Sequence, residues 1–177
     1  YLSVMRLPQV AAETGLAFRW RPFNVRDIMI EQDNRPFVGK PVKTAYMWRD
    51  LGRRAAMYGL EAKLPAPYPL EEAELANRVA VLGAQEGWCA EYTRATYARW
   101  FQQGQPPGSA PNLQEGLTEI GQEPGRVISR ARTDKIGAAF AEATAEAKAL
   151  GIFGSPTFAV DGELFWGDDR LEDAISW

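Results

Sequence analysis

The sequence has no histidine and a single cysteine. The first absence removes every mechanism built on imidazole. Ser-His-Asp and Cys-His pairs need a ring nitrogen that titrates near neutrality, and histidine-ligated zinc needs one to hold the metal. The second absence removes any internal disulfide and any Cys-x-x-Cys redox pair within these residues. Cys89 lies in Gly87-Trp88-Cys89-Ala90-Glu91-Tyr92, a helical context in which a lone thiol reads as a small buried hydrophobe. Chemistry must therefore draw on a hydroxyl, a carboxylate, a lysine or a bound cofactor.

Two further features are missing. Lys plus Arg number 20 against 23 for Asp plus Glu, a formal charge of −3, and no basic stripe stands out, which speaks against a nucleic-acid partner. No apolar run approaches the roughly 18 residues of a membrane span, and the start as given has no signal-peptide pattern. The expectation is a soluble, cytoplasmic protein that does not engage a membrane.

What is present fits one domain, or one domain carrying a helical insertion, since 177 residues are ample to bury a core. Residues 1–14 place Leu2, Met5, Val10 and Ala11 at helical intervals and stop at Gly15, with Pro8 predicting a kink or a restart. Leu16, Phe18 and Trp20 alternate with Ala17, Arg19 and Arg21, which predicts a strand over Leu16–Pro22. A helix feeding a strand is half of a βαβ unit, and the parallel strand expected before the helix is not among these residues. Asn24 to Lys40 reads as irregular. Pro41 to Gly59 is a helix with Met47, Leu51, Ala55 and Tyr58 on one stripe.

Pro65-Ala66-Pro67-Tyr68-Pro69 reads as a stiff loop. Two helices follow between Leu70 and Trp100, with stripes Leu75, Val79, Leu82 and Trp88, Tyr92, Ala95. After a Gly/Pro/Gln loop, Asn112 and Glu115 have capping-box spacing, Pro124 opens a short helix, and Thr133 caps a long one through Leu150. Thr157–Val160, the turn Asp161-Gly162 and Leu164–Trp166 form a hairpin, because Asp-Gly supplies the positive φ angles of a type I′ turn. Asp168 and Asp169 then precede a final helix from Leu171, where Asp is a routine N-cap.

Three stretches carry a resemblance. They are Gly154-Ser155-Pro156-Thr157-Phe158 with Trp166-Gly167-Asp168-Asp169-Arg170-Leu171, Asn34-Arg35-Pro36 spaced from Lys43 and Tyr46, and Tyr1-Leu2 at the head of the first helix. Together they resemble 2-hydroxychromene-2-carboxylate isomerases and kappa-class glutathione transferases. The resemblance implies an α/β thioredoxin-like fold with an inserted all-helical domain, residues 1–40 and 151–177 forming the first and 41–150 the second. It implies a cis Ser155–Pro156 bond, which turns the N–H and C=O of Ser155 outward to pair with an extended peptide, the cysteinyl unit of glutathione.

The same resemblance makes Ser155, Trp166, Gly167, Asp168 and Asp169 the glutathione-binding set, with an Asp for the γ-glutamyl ammonium and helix N–H groups for its carboxylate. Asn34, Arg35 and Lys43 would hold an acidic aromatic substrate or the cofactor, and Tyr68 would line the cavity. On residues alone Lys43 is a solvated lysine, and Tyr68 is equally a surface ring. The family's opening strand ends in Ser-Pro-x-Ser-Tyr-Leu, so the catalytic serine is expected upstream of Tyr1.

The implied reaction is glutathione-dependent isomerisation. The thiolate adds to a conjugated carbon of the bicyclic substrate, permits rotation, and leaves; a homodimer is implied as well. A kappa-class transferase or peroxidase shares nearly all these residues, although Trp166 and Tyr46-Met47-Trp48-Arg49-Asp50 resemble the isomerases more. A thioredoxin-fold disulfide oxidoreductase would carry its Cys-Pro-x-Cys in the upstream segment, and a catalytically silent helical dimerisation module is the remaining alternative.

Overall fold

The computed structural model describes residues 1–177. Helices α1 (Leu2–Thr14), α2 (Val25–Glu31), α3 (Pro41–Met57), α4 (Ala73–Glu86), α5 (Cys89–Ala98), α6 (Ala110–Glu119), α7 (Pro124–Ala131) and α8 (Asp134–Ala149) precede one antiparallel hairpin. Its strands are β1 (Thr157–Val160) and β2 (Glu163–Trp166), and a turn of 3₁₀ helix, Asp168–Arg170, leads into α9 (Leu171–Ser176). The fold is mixed and helix-rich, with its sheet reduced to these two strands. No helix is long and apolar enough to cross a membrane.

The apolar core lies among α4 to α8. Leu75, Val79 and Leu82 from α4 meet Trp88 at the N-cap of α5 and Tyr92 within it, Leu113 and Leu117 from α6, Val127 and Ala131 from α7, and Ile136 and Phe140 from α8. These are the stripes the helical period predicts, because residues three and four apart share a face and burying that face removes apolar area from water. Gly15 ends α1 at φ 74° and its N–H bonds to the Ala11 carbonyl, as a C′ glycine should. The hairpin register pairs Thr157 with Trp166 and Val160 with Glu163, and the turn residues Asp161 and Gly162 both have positive φ. The Ser155–Pro156 peptide is cis as expected, and so are Leu64–Pro65 and Tyr68–Pro69.

Several sequence expectations are corrected. Residues 16–22 form no strand, since no segment within residues 1–177 lies beside them to complete a ladder. Their alternation is nevertheless expressed as packing: Trp20 rests on the helical core, Arg21 pairs with Glu146 of α8, and the Asn24 N–H bonds to Thr144 Oγ1 at 3.0 Å. The stretch taken as irregular contains α2, capped by Asn24 Oδ1 accepting from the Asp27 N–H at 3.2 Å and anchored on α8 by buried Ile28. At seven residues, with only Ile28 buried, α2 is too short for a helical period to stand out.

Pro8 sits inside α1, and the helix does not begin again there. α6 begins before Asn112, whose side chain is instead wholly buried, donating to the Thr96 and Gln105 carbonyls and accepting from Thr96 Oγ1. Thr133 does occupy the N-cap position of α8, but its hydroxyl bonds back to the Arg130 carbonyl at 2.7 Å.

Candidate functional site

The end of the hairpin folds onto the start of α9 in a few steps. The Gly167 N–H donates to the Pro156 carbonyl at 3.0 Å, which ties the exit of β2 to the entry of β1. Gly167 has φ 114°, and a Cβ there would stand 2.5 Å from Asp169 Oδ1, so only glycine lets the Asp169 carboxylate fold back over the turn. Gly154 is equally constrained: a side chain would collide with the Trp166 indole, which also packs on Phe153 with ring centroids 5.0 Å apart. Ser155 is exposed, and neither its N–H nor its C=O has a hydrogen-bond partner in the protein. A free donor and acceptor on one residue is what an extended peptide needs in order to add as a strand.

The two aspartates have different surroundings. Asp169 is exposed, paired only with its neighbour Arg170 at 3.7 Å. Asp168 is largely covered and already engaged. Its Oδ1 accepts from Ser3 Oγ at 2.9 Å and faces Arg6 Nη1 at 3.5 Å, while its Oδ2 accepts from Arg54 Nη2 at 2.9 Å. Arg6 also pairs with Glu172 on α9 and lies 4.0 Å over the Tyr58 ring, and Arg54 donates to the Tyr58 hydroxyl at 2.8 Å. One carboxylate thus joins α1, α3 and the start of α9.

The placement has an electrostatic logic. α1 has no acidic residue in its first turn and no side-chain cap, so Asp168 supplies from a distant segment the negative charge its positive end lacks. The hydrogen bond to Asp168 holds the Arg54 guanidinium above its ordinary pKa.

Asn34, Arg35 and Lys43 lie elsewhere. Asn34 and Arg35 are exposed on the α2–α3 loop, where Lys40 Nζ reaches the Arg35 carbonyl at 3.4 Å. Lys43, in the first turn of α3, has its ammonium 6.0 Å from the Phe37 ring centre. With Lys40, Pro41, Val42 and Tyr46 it lines an open depression of about 540 Å³. α3 separates this group from the Asp168 joint: Lys43 and Arg54 are eleven positions apart, about 16 Å at 1.5 Å per residue.

Tyr68 is exposed, on a loop held by Trp100 Nε1 donating to the Pro67 carbonyl at 2.8 Å. The structure therefore brings Ser155, Trp166, Gly167, Asp168 and Asp169 together and leaves Asn34 and Arg35, on the α2–α3 loop, and Lys43, on α3, outside that group.

Sequence reasoning missed Ser3, Arg6, Arg54 and Tyr58. Nothing local marks them: Ser3, Arg6 and Arg54 are ordinary polar residues on helices whose meaning arises from reaching Asp168 across more than a hundred positions, and Tyr58 matters only through its contacts with Arg6 and Arg54. It also missed the π-helical turn Arg99–Gln103 that continues α5, around which Tyr1, Tyr97, Trp100 and Phe101 cluster. Consecutive aromatics in Tyr97-Ala98-Arg99-Trp100-Phe101 were the available signal. Cys89 is inert by comparison, its thiol pushed up to about 11 by burial.

Comparison with known proteins gives a consistent result. Residues 1–175 match the model of the DSBA-like thioredoxin domain. A 2-hydroxychromene-2-carboxylate isomerase of Sphingobium xenophagum is 26% identical over 174 residues, 97% of this chain and 88% of that protein. One from Pseudomonas putida is 28% identical over 185 residues, covering 97% and 84% respectively. The solved structure of a 2-hydroxychromene-2-carboxylate isomerase superposes with a TM-score of 0.88 at 25% identity, over 99% of this chain and 86% of that one.

Proposed function

Since the chain belongs to the DSBA-like thioredoxin domain family, we propose that it is a glutathione-dependent isomerase acting on 2-hydroxychromene-2-carboxylate or a related aromatic-degradation intermediate. The isomerase half of this reading is supported by the relatives and the superposed structure, which carry that activity in their names across nearly the whole chain. The glutathione half is carried by one observation: Ser155 keeps an unpaired main-chain donor and acceptor on the loop bonded to Gly167, over which the exposed carboxylate of Asp169 folds.

Those groups fit the tripeptide. Ser155 would pair with its central peptide unit and Asp169 would hold the γ-glutamyl ammonium, with Trp166 and Gly167 shaping the turn between them. Asp168 keeps the turn on the first turn of α1, and Arg6 and Arg54 keep Asp168 in place. When bound, glutathione would supply a thiol whose ionisation is favoured by a hydroxyl hydrogen bond and a helix N-terminus. The resemblance assigns that hydroxyl to a serine ahead of Tyr1. Lys43, Asn34 and Arg35 would meet the anionic part of the substrate, since a lysine in the first turn of a helix is better placed beside an anion than alone.

A homodimer belongs to the same proposal: α3 buries only Ala55 and exposes Val42, Tyr46 and Met57, an apolar surface suited to a second copy. The deciding experiment follows the interconversion of 2-hydroxychromene-2-carboxylate by absorbance, using protein that carries its natural upstream residues, with and without glutathione. Turnover only with glutathione is expected. Turnover independent of it removes the cofactor, and no turnover removes the isomerase reading.

A further inference from the structure

Residues 16–22 carry a main-chain edge that the fold does not use. From Gly15 to Asn24 the chain runs without a turn or a bend, and the N–H and C=O groups from Ala17 to Phe23 enter no backbone hydrogen bond. Both ends of the segment are fastened, the Leu16 N–H to Thr14 Oγ1 at 3.3 Å and the Asn24 N–H to Thr144 Oγ1 at 3.0 Å, while Trp20 rests on the helical core. The segment is thus held straight with its ladder groups free, which is the form of an edge that accepts another strand.

A cavity of about 520 Å³ runs beside it. Phe18 and Trp20 line this cavity together with Arg19 and Arg21. Alternate residues of an extended chain point to opposite faces, so a cavity lined by both sets borders the edge of the segment. The opposite side is built of small residues: Gly83, Ala84 and Gly87 at the end of α4, Ala90 on α5, and Ala139 and Ala143 on α8. Gly83 is required by Trp88, whose ring would stand 2.8 Å from a Cβ there, and Gly87 by the left-handed end of α4. Small side chains leave room for a strand at the usual spacing of about 4.8 Å from its neighbour.

The rim sets the charge of what can lie there. Arg21 is engaged by Glu146, whereas Glu91 and Glu142 enter no ion pair and face a single unpaired guanidinium, that of Arg19. No residue of α1, the hairpin or α9 lines the cavity, so it is separate from the group around Ser155 and Asp169. We propose that this cavity is a docking site for an extended basic peptide, which adds as a strand along residues 17–21 and sets its cationic side chains against Glu91 and Glu142. Main-chain pairing supplies the affinity in this mode, and the rim carboxylates supply the preference for lysine or arginine. Pro22, which has no N–H to offer a ladder, closes the edge.

The test is fluorescence anisotropy with an acetylated, fluorescein-labelled Val-Lys-Val-Lys-Val peptide, using protein that carries its natural upstream residues. Hydrogen exchange of the complex locates the peptide. The parent should bind, and the amides of residues 17–21 should gain protection. The same peptide with every amide N-methylated keeps its side chains but loses its donors, and should bind at least about tenfold more weakly. The double variant Glu91→Gln, Glu142→Gln should bind the parent peptide roughly two- to fivefold more weakly, as expected for exposed ion pairs, and with less dependence on salt. No binding by the parent, equal binding of the N-methylated peptide, or binding without protection at residues 17–21 each overturns the docking site. Equal binding of Val-Glu-Val-Glu-Val overturns the choice of a basic partner.

Discussion

The body formed by α4 to α8 and the region where α1, α3, the hairpin and α9 meet are held together by different forces. In the body Val79, Leu82, Leu117, Val127 and Ala131 are wholly buried, and the ladder of apolar contacts is continuous. In the other region Leu2, Leu7, Ala55, Leu171 and Ala174 are buried, but the elements are joined through Asp168, a single carboxylate shared by two guanidinium groups and a hydroxyl. The first arrangement suits a rigid support. The second leaves donors, acceptors and charges near the surface, where a ligand can compete for them, and that is the part to which the proposed binding groups belong.

The largest effect should come from the body. Leu117→Ala removes a fully buried side chain with neighbours on several helices, and a loss of about 2–5 kcal/mol is expected from transfer plus cavity terms, measured by urea unfolding. A loss below about 1 kcal/mol would mean that the body is not the stable half.

Asp168→Ala should act on the other side of the comparison. It leaves Arg6 and Arg54 facing each other without their carboxylate, and a cost of about 1.5–3 kcal/mol is expected from losing charge-assisted hydrogen bonds. Hydrogen exchange locates it: α9 and the first turn of α1 should exchange faster while amides of α4 and α8 keep their protection. Uniform loss across both regions would dissolve the distinction.

How much of this division was legible in the sequence depends on the range of the signal. The stripes of α4 and α5 are local, three and four residues apart, and the structure buries them. The Asp-Gly turn and the glycine stop of α1 are likewise dictated by φ requirements within one or two positions. Residues 16–22 show the limit: their alternation is real, but a strand exists only with a partner, and within residues 1–177 none lies beside them. Asn112 shows another. Its side chain has the chemistry of a cap, and only the tertiary position of Thr96 and Gln105 turns it into a buried bridge. The hairpin and α9 turn were legible because glycine and proline mark them. The joint on Asp168 was not, since the distance from Arg6 or Arg54 to residue 168 leaves no pattern.

Alkaline pH should weaken the body by a smaller amount. Burial raises the Cys89 thiol from its ordinary 9.0 to about 11, and it raises the Tyr92 and Tyr97 phenols as well. The unfolded chain therefore gives up these protons first. Their contribution is intact below about pH 9 and is lost as pH rises through the folded-state values. Urea midpoints at about pH 8 and pH 10.5 should fall between the two, and the Cys89 thiol should resist a thiol reagent at pH 8 until the chain is unfolded. Rapid labelling of the folded protein would contradict the burial on which both expectations rest.

The smallest effect on stability is expected at Asp169, and there the central claim can be tested most directly. Its carboxylate is exposed and paired only with its neighbour, so Asp169→Ala should shift the unfolding free energy by no more than about 0.5 kcal/mol. Calorimetric titration with glutathione should nevertheless show roughly ten- to hundredfold weaker binding than the parent, the loss of one charge-assisted bond to the γ-glutamyl ammonium. If Asp169→Ala bound glutathione as tightly as the parent, the carboxylate would be no more than a helix-start residue, and the cofactor would lose its anchor in this structure.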